Sequence, residues 1–285
     1  MLASLPEILA LAQNGPPVGA FTCYGMSGAV AVVRAAAARD VPAVLLVSGA
    51  AYAAPTGDAL VATLLAIGDR APVPVCVQLD HASDLALIER ALADGVDAVL
   101  ADGSRLDYAG NIALTRAAAE LATAHGAHLE VELGHVAGEE DLATAAAAGA
   151  LTDPDEAAAF VTASGAALLA VSIGNVHGRY AHPPQLDIAR LETIRERVEV
   201  PLALHGASGL PEAQLGAAIR AGITKINVNT ELRSRAFDAL DAEAPAARAR
   251  GLDLLGLGAA VTDAIADAVG EQLDAFARLS GRGGR

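Results

Sequence analysis

The chain has 285 residues, of which 53% are hydrophobic and only 3% aromatic, and it carries a formal net charge of −15 at pH 7. This length and composition suit one (β/α)8 barrel or two small domains built around an aliphatic core. The charge excludes nucleic acid as a partner, because a phosphate backbone requires clustered lysines and arginines, whereas the sequence has 34 acidic residues against 19 basic ones.

The first predicted element is an N-terminal helix. Ser4-Leu5-Pro6-Glu7 is typical of a capping box, and the helix is expected to stop near Gly15. A secretory signal would need a basic start and an uninterrupted apolar stretch, and no run is long enough to span a membrane. Cys23 and Cys76 lie in apolar runs, where a free cysteine acts as a small hydrophobe. We therefore predict a reduced, cytoplasmic setting with no membrane partner.

Eight apolar, β-branched runs then alternate with Ala- and Leu-rich stretches of helical spacing. Eight repeats of strand and helix indicate an α/β fold, a (β/α)8 TIM barrel, whereas an open doubly wound sheet would usually show a glycine-rich turn after its first strand. We predict one barrel domain over residues 1–285, with a helical C-terminal segment at about 244–280. The predicted strands are residues 17–24, 41–48, 73–79, 96–101, 127–133, 167–173, 200–204 and 223–228.

A long connection follows the fifth predicted strand. Residues 134–151 carry several glycines and the acidic run Glu139-Glu140-Asp141, and a stretch of this length in a compact domain is a lid, a binding loop or disorder. Thr152-Asp153-Pro154 then supplies a cap and a first-turn proline for the next helix. We expect a mobile loop at about 134–151.

Three histidines follow predicted strands three, six and seven. His81, His177 and His205 would meet at one end of the barrel, where three neutral imidazoles can hold a tetrahedral zinc and leave its fourth position open. Any one of them alone would more simply satisfy local hydrogen bonds, but three at equivalent strand ends favour a metal site. Asp80, next to His81, would be the acid or base beside that metal.

Two carboxylates end strands four and five. Asp102 and Glu132 could orient metal ligands, form an alternative metal position, or simply cap helices at the strand exits. Side chains two residues apart on a strand point to the same face, so Glu130 and Glu132 lie on one face of strand five. Capping is therefore a poorer explanation for Glu132.

The last two strands carry a pattern suited to phosphate. His205-Gly206-Ala207-Ser208-Gly209 and Asn227-Val228-Asn229-Thr230 each run into a helix, and barrels commonly bind phosphate on the loops after strands seven and eight. Each motif alone is weak, since Ser208 and Thr230 could be ordinary N-caps.

Seven motifs resemble, in order and spacing, those of the class II, zinc-dependent ketose-bisphosphate aldolases of the fructose/tagatose-bisphosphate type. They are Leu79-Asp80-His81, Asp102-Gly103-Ser104, Glu132-Leu133-Gly134 with Gly138-Glu139-Glu140-Asp141, Leu151-Thr152-Asp153-Pro154, Gly174-Asn175-Val176-His177-Gly178, His205-Gly206-Ala207-Ser208 and Lys225-Ile226-Asn227-Val228-Asn229-Thr230. The resemblance covers most of the chain and is less specific for the sugar.

This resemblance implies cleavage of a phosphorylated ketose, such as fructose or tagatose 1,6-bisphosphate, to dihydroxyacetone phosphate and an aldehyde. Zn²⁺ would be ligated by His81, His177 and His205, with Asp102 and Glu132 at an alternative or second metal position. Asp80 would handle the aldehyde. The loop would bring the proton acceptor, Glu140, with Glu139 as the fallback. The implied substrate-binding residues are Ser48, Gly178, Gly206, Ala207, Ser208, Asn227, Val228, Asn229 and Thr230.

The resemblance also implies a monovalent cation, Na⁺ or K⁺, near the phosphate, and a homodimer or homotetramer. The alternatives are a relative acting on another phosphorylated keto sugar or keto acid, a metal-dependent hydrolase, or a non-catalytic partner subunit. Lys225 is the only lysine, so a Schiff-base mechanism would have to use it, but its depth on strand eight favours a buried structural role. Arg105 and Arg179 could face a second anion or be solvated surface residues. Thr22 and Gly25 stand where many members of the resembled family carry asparagines, so no substrate contact is assigned to the first strand.

Overall fold

Eight parallel strands close into a barrel in the computed structural model, which describes residues 1–13 and 15–281. Asn14 and residues 282–285, which the predicted domain includes, lie outside the described residues. Each predicted strand is present, so the (β/α)8 prediction is confirmed. The barrel strands, in spatial order, are β1 (Val18–Thr22), β2 (Ala43–Ser48), β3 (Val75–Ala82), β4 (Ala98–Ala101), β5 (His128–Leu133), β7 (Leu168–Val171), β9 (Leu202–Leu204) and β10 (Ile223–Val228), which pairs with β1.

Helices surround the barrel, and their ends follow the predicted capping signals. Ser4 and Glu7 form the expected capping box of the first helix, and Asp153 caps the helix that begins at Pro154. The predicted C-terminal helical segment is interrupted at residues 250–253. The helices are α1 (Leu5–Ala12), α2 (Met26–Ala37), α3 (Gly49–Ala53), α4 (Gly57–Asp69), α5 (Leu85–Ala93), α6 (Tyr108–Ala124), α7 (Pro154–Ser164), α8 (Ile188–Arg197), α9 (Glu212–Arg220), α10 (Thr230–Ala249) and α11 (Leu254–Leu279).

The lower interior of the barrel is an apolar plug. Inward-facing side chains of the strands meet those of α1, which closes the amino-terminal end, while a larger core lies between strands and helices. Burial raises the pKa of the Cys23 thiol to about 12, as expected for an inert hydrophobe. The plug consists of Leu5, Ile8, Leu9, Ala12, Val18, Ala20, Val44, Leu46, Cys76, Ala98, Leu168, Ala170 and Ala203.

The upper interior is polar because the same strand faces carry polar residues nearer their carboxyl ends. On β3 the inward positions change from Cys76 to Gln78 and then Asp80, all fully buried. Glu130 and Lys225 lie at the level of Gln78 and bond to each other. Functional side chains therefore stand on rigid strands above a packed base.

Two loops are joined above the barrel by a small sheet that the sequence did not reveal. Strand β6 (Ala145–Ala146) pairs in parallel with β8 (Arg179–Tyr180). This sheet ties the long connection after β5 to the loop that carries His177. Among the helices of the described residues, none combines the length and the apolar composition needed to cross a membrane.

Candidate metal centre and active site

His81 reaches the site through a break in strand geometry. Successive side chains on a strand point to opposite faces, so Asp80 and His81 should diverge. The backbone at His81 has a φ of 49°, and the register between β3 and β4 shifts between Leu79 and Ala82. Because this conformation is costly for a non-glycine residue, it is typical of a functional position. It allows both side chains to face the same site.

The other two histidines are placed by different means. His205 directly follows β9, whereas His177 lies beyond the end of β7, in a loop rather than at the strand end. The Asn175 side chain holds that loop, because its Nδ2 donates to the carbonyls of Val171 and His205 at 3.2 and 3.0 Å. The sequence did not indicate these two hydrogen bonds, although Asn175 belongs to the motif Gly174-Asn175-Val176-His177-Gly178.

The three imidazoles and one carboxylate form a compact cluster. Ring centroids of His81 lie 4.7 Å from His177 and 4.9 Å from His205, with nearly perpendicular planes. One ligand atom from each of these rings and from Glu132 lies within 4.8 Å of every other. The structure thus brings the three predicted histidines together and adds Glu132 to them.

Carboxylates fix two of these rings. Asp102 Oδ2 lies 2.8 Å from His81 Nδ1, and Glu130 Oε1 lies 2.8 Å from His205 Nε2. An ionised carboxylate can only accept, so each of these nitrogens carries the proton. Metal-bound imidazoles are neutral, so in that state His81 Nε2 and His205 Nδ1, which lie 2.9 Å apart, are the nitrogens left with lone pairs.

This arrangement leaves buried atoms that a cation would satisfy. Glu132 Oε2 and His177 Nδ1 are buried and have no hydrogen-bond partner among the described residues. Imidazole nitrogens and a carboxylate oxygen are the ligands that zinc prefers, and carboxylates behind the rings are the expected support for them. The residues present therefore fit a metal ion.

The two predicted rim carboxylates occupy different positions. Glu132 joins the cluster, and burial, together with the charge of Asp102, raises the pKa of Glu132 to about 7. Asp102 instead holds His81 and accepts a bond from the Ser104 N–H at 3.0 Å. Burial opposes ionisation of Asp102, yet its bond to His81 keeps its pKa well below the usual range.

A buried polar network lies beneath the cluster. Glu130 Oε2 accepts from Lys225 Nζ at 2.8 Å, and Nζ also donates to Asn227 Oδ1 at 2.8 Å. Burial opposes the charge of Glu130, but Lys225 holds the pKa of that carboxyl well below its ordinary value. Asn227 Nδ2 in turn donates to Asp80 Oδ2 at 3.2 Å. Burial raises the pKa of Asp80, although the neighbouring His81 opposes the shift.

The long loop delivers Glu140, not Glu139, to the cluster. Glu140 Oε2 lies 2.5 Å from His177 Nδ1, outside hydrogen-bonding geometry, while Glu139 is exposed. Glu140 Oε1 accepts from Asn229 Nδ2 at 2.7 Å and from Thr22 Oγ1 at 3.2 Å. Thr22 thus contacts the loop.

Asp141 fastens the same loop to the barrel, a role that sequence reasoning missed. Its carboxylate accepts from Tyr24 OH at 2.6 Å and from Ser48 Oγ at 2.9 Å, and its carbonyl accepts from Arg233. The acidic run Glu139-Glu140-Asp141 was the available signal. Ser48 therefore lies under the loop, and it does not line the cavity at Gly178 and Ser208, the residues with which it was predicted to bind substrate.

A cavity of about 400 Å³ marks the predicted phosphate loops and includes Gly178, Ser208 and Thr230. No described residue accepts a hydrogen bond from the N–H groups of Gly206, Ala207 or Ser208. The Ser208 hydroxyl itself donates to Glu231, which the sequence reasoning did not single out.

The remaining predicted substrate residues divide between site and core. Asn227 and Asn229 line the interior beside Asp80 and Glu140. Val228 instead packs in the hydrophobic core. Gly206 has a φ of 60°, and an added Cβ would lie 2.1 Å from the Val176 carbonyl oxygen, so close backbone packing is one reason for that glycine.

Comparisons with known proteins identify the family and the fold of the chain. The family model described as fructose-bisphosphate aldolase class-II matches residues 3–280. The D-tagatose-1,6-bisphosphate aldolase subunit GatY of Klebsiella oxytoca is 38% identical over 244 residues, covering 84% of this chain and 85% of that protein. The crystal structure of the YdjI aldolase from Escherichia coli K12 has a TM-score of 0.85 at 30% identity and covers 97% of each chain. Fructose-bisphosphate aldolase from Campylobacter jejuni, at 18% identity and a TM-score of 0.81 over 96% of this chain and 95% of that one, shares the fold.

Proposed function

Because this chain belongs to the class II fructose-bisphosphate aldolase family, we propose that it reversibly cleaves a ketose 1,6-bisphosphate to dihydroxyacetone phosphate and glyceraldehyde 3-phosphate. The observation that carries the proposal is the cluster of His81, His177, His205 and Glu132 directly beside the buried Asp80. Fructose and tagatose 1,6-bisphosphate are the first candidates, the latter because GatY carries that sugar in its name.

We assign the zinc ligands to His81, His177 and His205, with Glu132 as an alternative ligand and Asp102 holding His81 in place. Zinc bound there would supply Lewis-acid stabilisation of the negative charge that develops on the ketose carbonyl oxygen as the carbon–carbon bond breaks. The fully buried position of His205 and the carboxylates behind two of the rings support this assignment.

Asp80 and Glu140 would handle the protons. In the cleavage direction Asp80 accepts the proton of the hydroxyl that becomes the aldehyde oxygen, and its raised pKa suits a group that must take up and release a proton. Glu140 would donate a proton to the carbon that becomes part of dihydroxyacetone phosphate, and would abstract it in the reverse direction. Exchange with water restores both carboxyls.

The phosphate of the dihydroxyacetone half would bind to the unpaired N–H groups of Gly206, Ala207 and Ser208, beside Gly178 and Thr230. Asn227 and Asn229 would orient Asp80 and Glu140 rather than touch the phosphate. We also propose that a Na⁺ or K⁺ ion binds near this phosphate, as the family resemblance implies.

We further propose assembly as a homodimer or homotetramer. Large apolar side chains remain exposed on the two C-terminal helices and on the turn between them, which supports a covered face in solution. They include Phe237, Leu252, Leu254 and Leu255. Light scattering during gel filtration measures the mass, and a monomer at micromolar concentration would contradict this part.

The function is tested with purified protein and both bisphosphates, before and after treatment with a chelator. Dihydroxyacetone phosphate should be released from at least one sugar, and the chelator should abolish its release. Borohydride added with substrate should leave activity intact, because no Schiff base forms. Inactivation accompanied by modification of Lys225, or no cleavage of either sugar, would contradict the proposal.

A further inference from the structure

A second cavity, of about 460 Å³, opens beside the histidine cluster on the other side from the phosphate loops. It includes His81 and His177, and it extends from the carboxyl end of β2 to the loops after β4 and β5. Four carboxylates of the site and its loop also line it, namely Asp102, Glu139, Glu140 and Asp141. Arg105 is the one arginine or lysine among its lining residues.

Arg105 is available to bind a ligand. It is exposed on the loop between β4 and α6, and it makes no hydrogen bond or ion pair with any described residue. Arg233, by contrast, is held by the Asp141 carbonyl and the Thr230 hydroxyl. A guanidinium without a partner binds phosphate or carboxylate through a planar pair of N–H donors.

The two cavities lie on opposite sides of the barrel rim. In the spatial order of strands, β4 stands four positions from β10, across the barrel, and the phosphate loops follow β9 and β10. The metal cluster lies between these loops and Arg105. A ketose that places one phosphate in the glycine loops and its carbonyl at the cluster would therefore extend its other end toward Arg105.

We propose that Arg105 binds an anionic group on the aldehyde half of the substrate and so selects ketoses that are charged at both ends. This inference rests on the proposed function. The surrounding carboxylates would repel an anion placed elsewhere in the cavity, so Arg105 determines where the charged end binds.

In the condensation direction dihydroxyacetone phosphate is the same in every assay and only the aldehyde is varied, so differences in rate report on the aldehyde half of the site. We would measure kcat/KM for glyceraldehyde 3-phosphate, succinic semialdehyde and uncharged glyceraldehyde, using the wild type, Arg105→Met and Arg105→Lys. Arg116→Met, an exposed arginine on α6 outside both cavities, is the matched control. Arg105→Met should lower the preference for an anionic over the neutral acceptor by about tenfold or more, with Arg105→Lys in between.

The anionic acceptor with the larger loss identifies the group as phosphate or carboxylate. Glyceraldehyde itself should react within about twofold of wild type in every variant, since no contact to it is removed. An equal loss with charged and neutral acceptors, or no loss at all, would overturn the subsite. A wild type that condenses with none of the three would instead contradict the proposed function.

Discussion

Glu130 and Lys225 form a fully buried ion pair whose partners reach both halves of the site. Glu130 bonds to His205, and Lys225 bonds to Asn227, which donates to Asp80. A buried pair is a weak source of net stability, because desolvation offsets the attraction between the charges. We therefore expect the pair to orient His205 and Asp80 and to add little to the stability of the fold.

Replacing Glu130 with glutamine should weaken zinc binding. The amide keeps the size of the carboxyl but loses the charge that fixes the Nε2-protonated form of His205, and losing such support costs about 10–100-fold in metal affinity. Competition with a chromophoric chelator measures the affinity, with Glu120→Gln on the exposed side of α6 as the control. Unchanged zinc affinity in Glu130→Gln would refute this positioning role.

Asp80→Ala should abolish turnover and leave zinc bound. The side chain contacts Asn227, not the ligand nitrogens, and loss of a proton-transfer group costs about 10²–10⁴ in rate. Steady-state kinetics and metal content measured on the same sample test this expectation. Near-native turnover would show that another group transfers the hydroxyl proton.

Among the elements, the connection after β5 is fixed by side-chain contacts of two residues within its acidic run. Glu140 bonds to Thr22 and Asn229, and Asp141 bonds to Tyr24 and Ser48. Strand β6 adds backbone pairing to the loop that carries His177. These hydrogen bonds hold the loop closed over the histidine cluster. Because they are few, the loop can open to admit substrate when they break.

Adjacent glutamates in this loop provide a matched pair of variants. Glu140→Gln should lower turnover by about 10²–10⁴, because its carboxylate faces His177, whereas the exposed Glu139→Gln should stay within about twofold of wild type. Exchange of a carbon-bound proton of dihydroxyacetone phosphate with D2O, followed by NMR, isolates the step assigned to Glu140. Loss of exchange in Glu139→Gln instead would reverse the assignment.

At the scale of the whole molecule, the barrel was predictable because periodic signals determine it. Eight apolar runs separated by stretches of helical spacing predict the eight strands that close into the barrel. The capping box at Ser4 and the helix cap at Asp153 are encoded by a few neighbouring residues. The three histidines could be brought together because strand ends converge in such a barrel.

Other features depend on contacts between distant segments, and no local pattern encodes them. The conformation of His81 departs from the strand period, and His177 lies in a loop held by Asn175. The placement of Ser48 under Asp141 and of Glu140 over His177 likewise follows from loop packing. Sequence reasoning could therefore name the chemical groups of the site but not the way in which they are held.

The central claim is that catalysis requires one metal ion held by His81, His177 and His205. It is tested most directly by titrating zinc into chelator-treated protein while bound zinc and aldol cleavage are measured together. We predict that activity rises in proportion to occupancy and reaches its maximum at one zinc per chain, and that His177→Ala loses both. Full cleavage by metal-free protein, or activity that does not follow zinc occupancy, would contradict it.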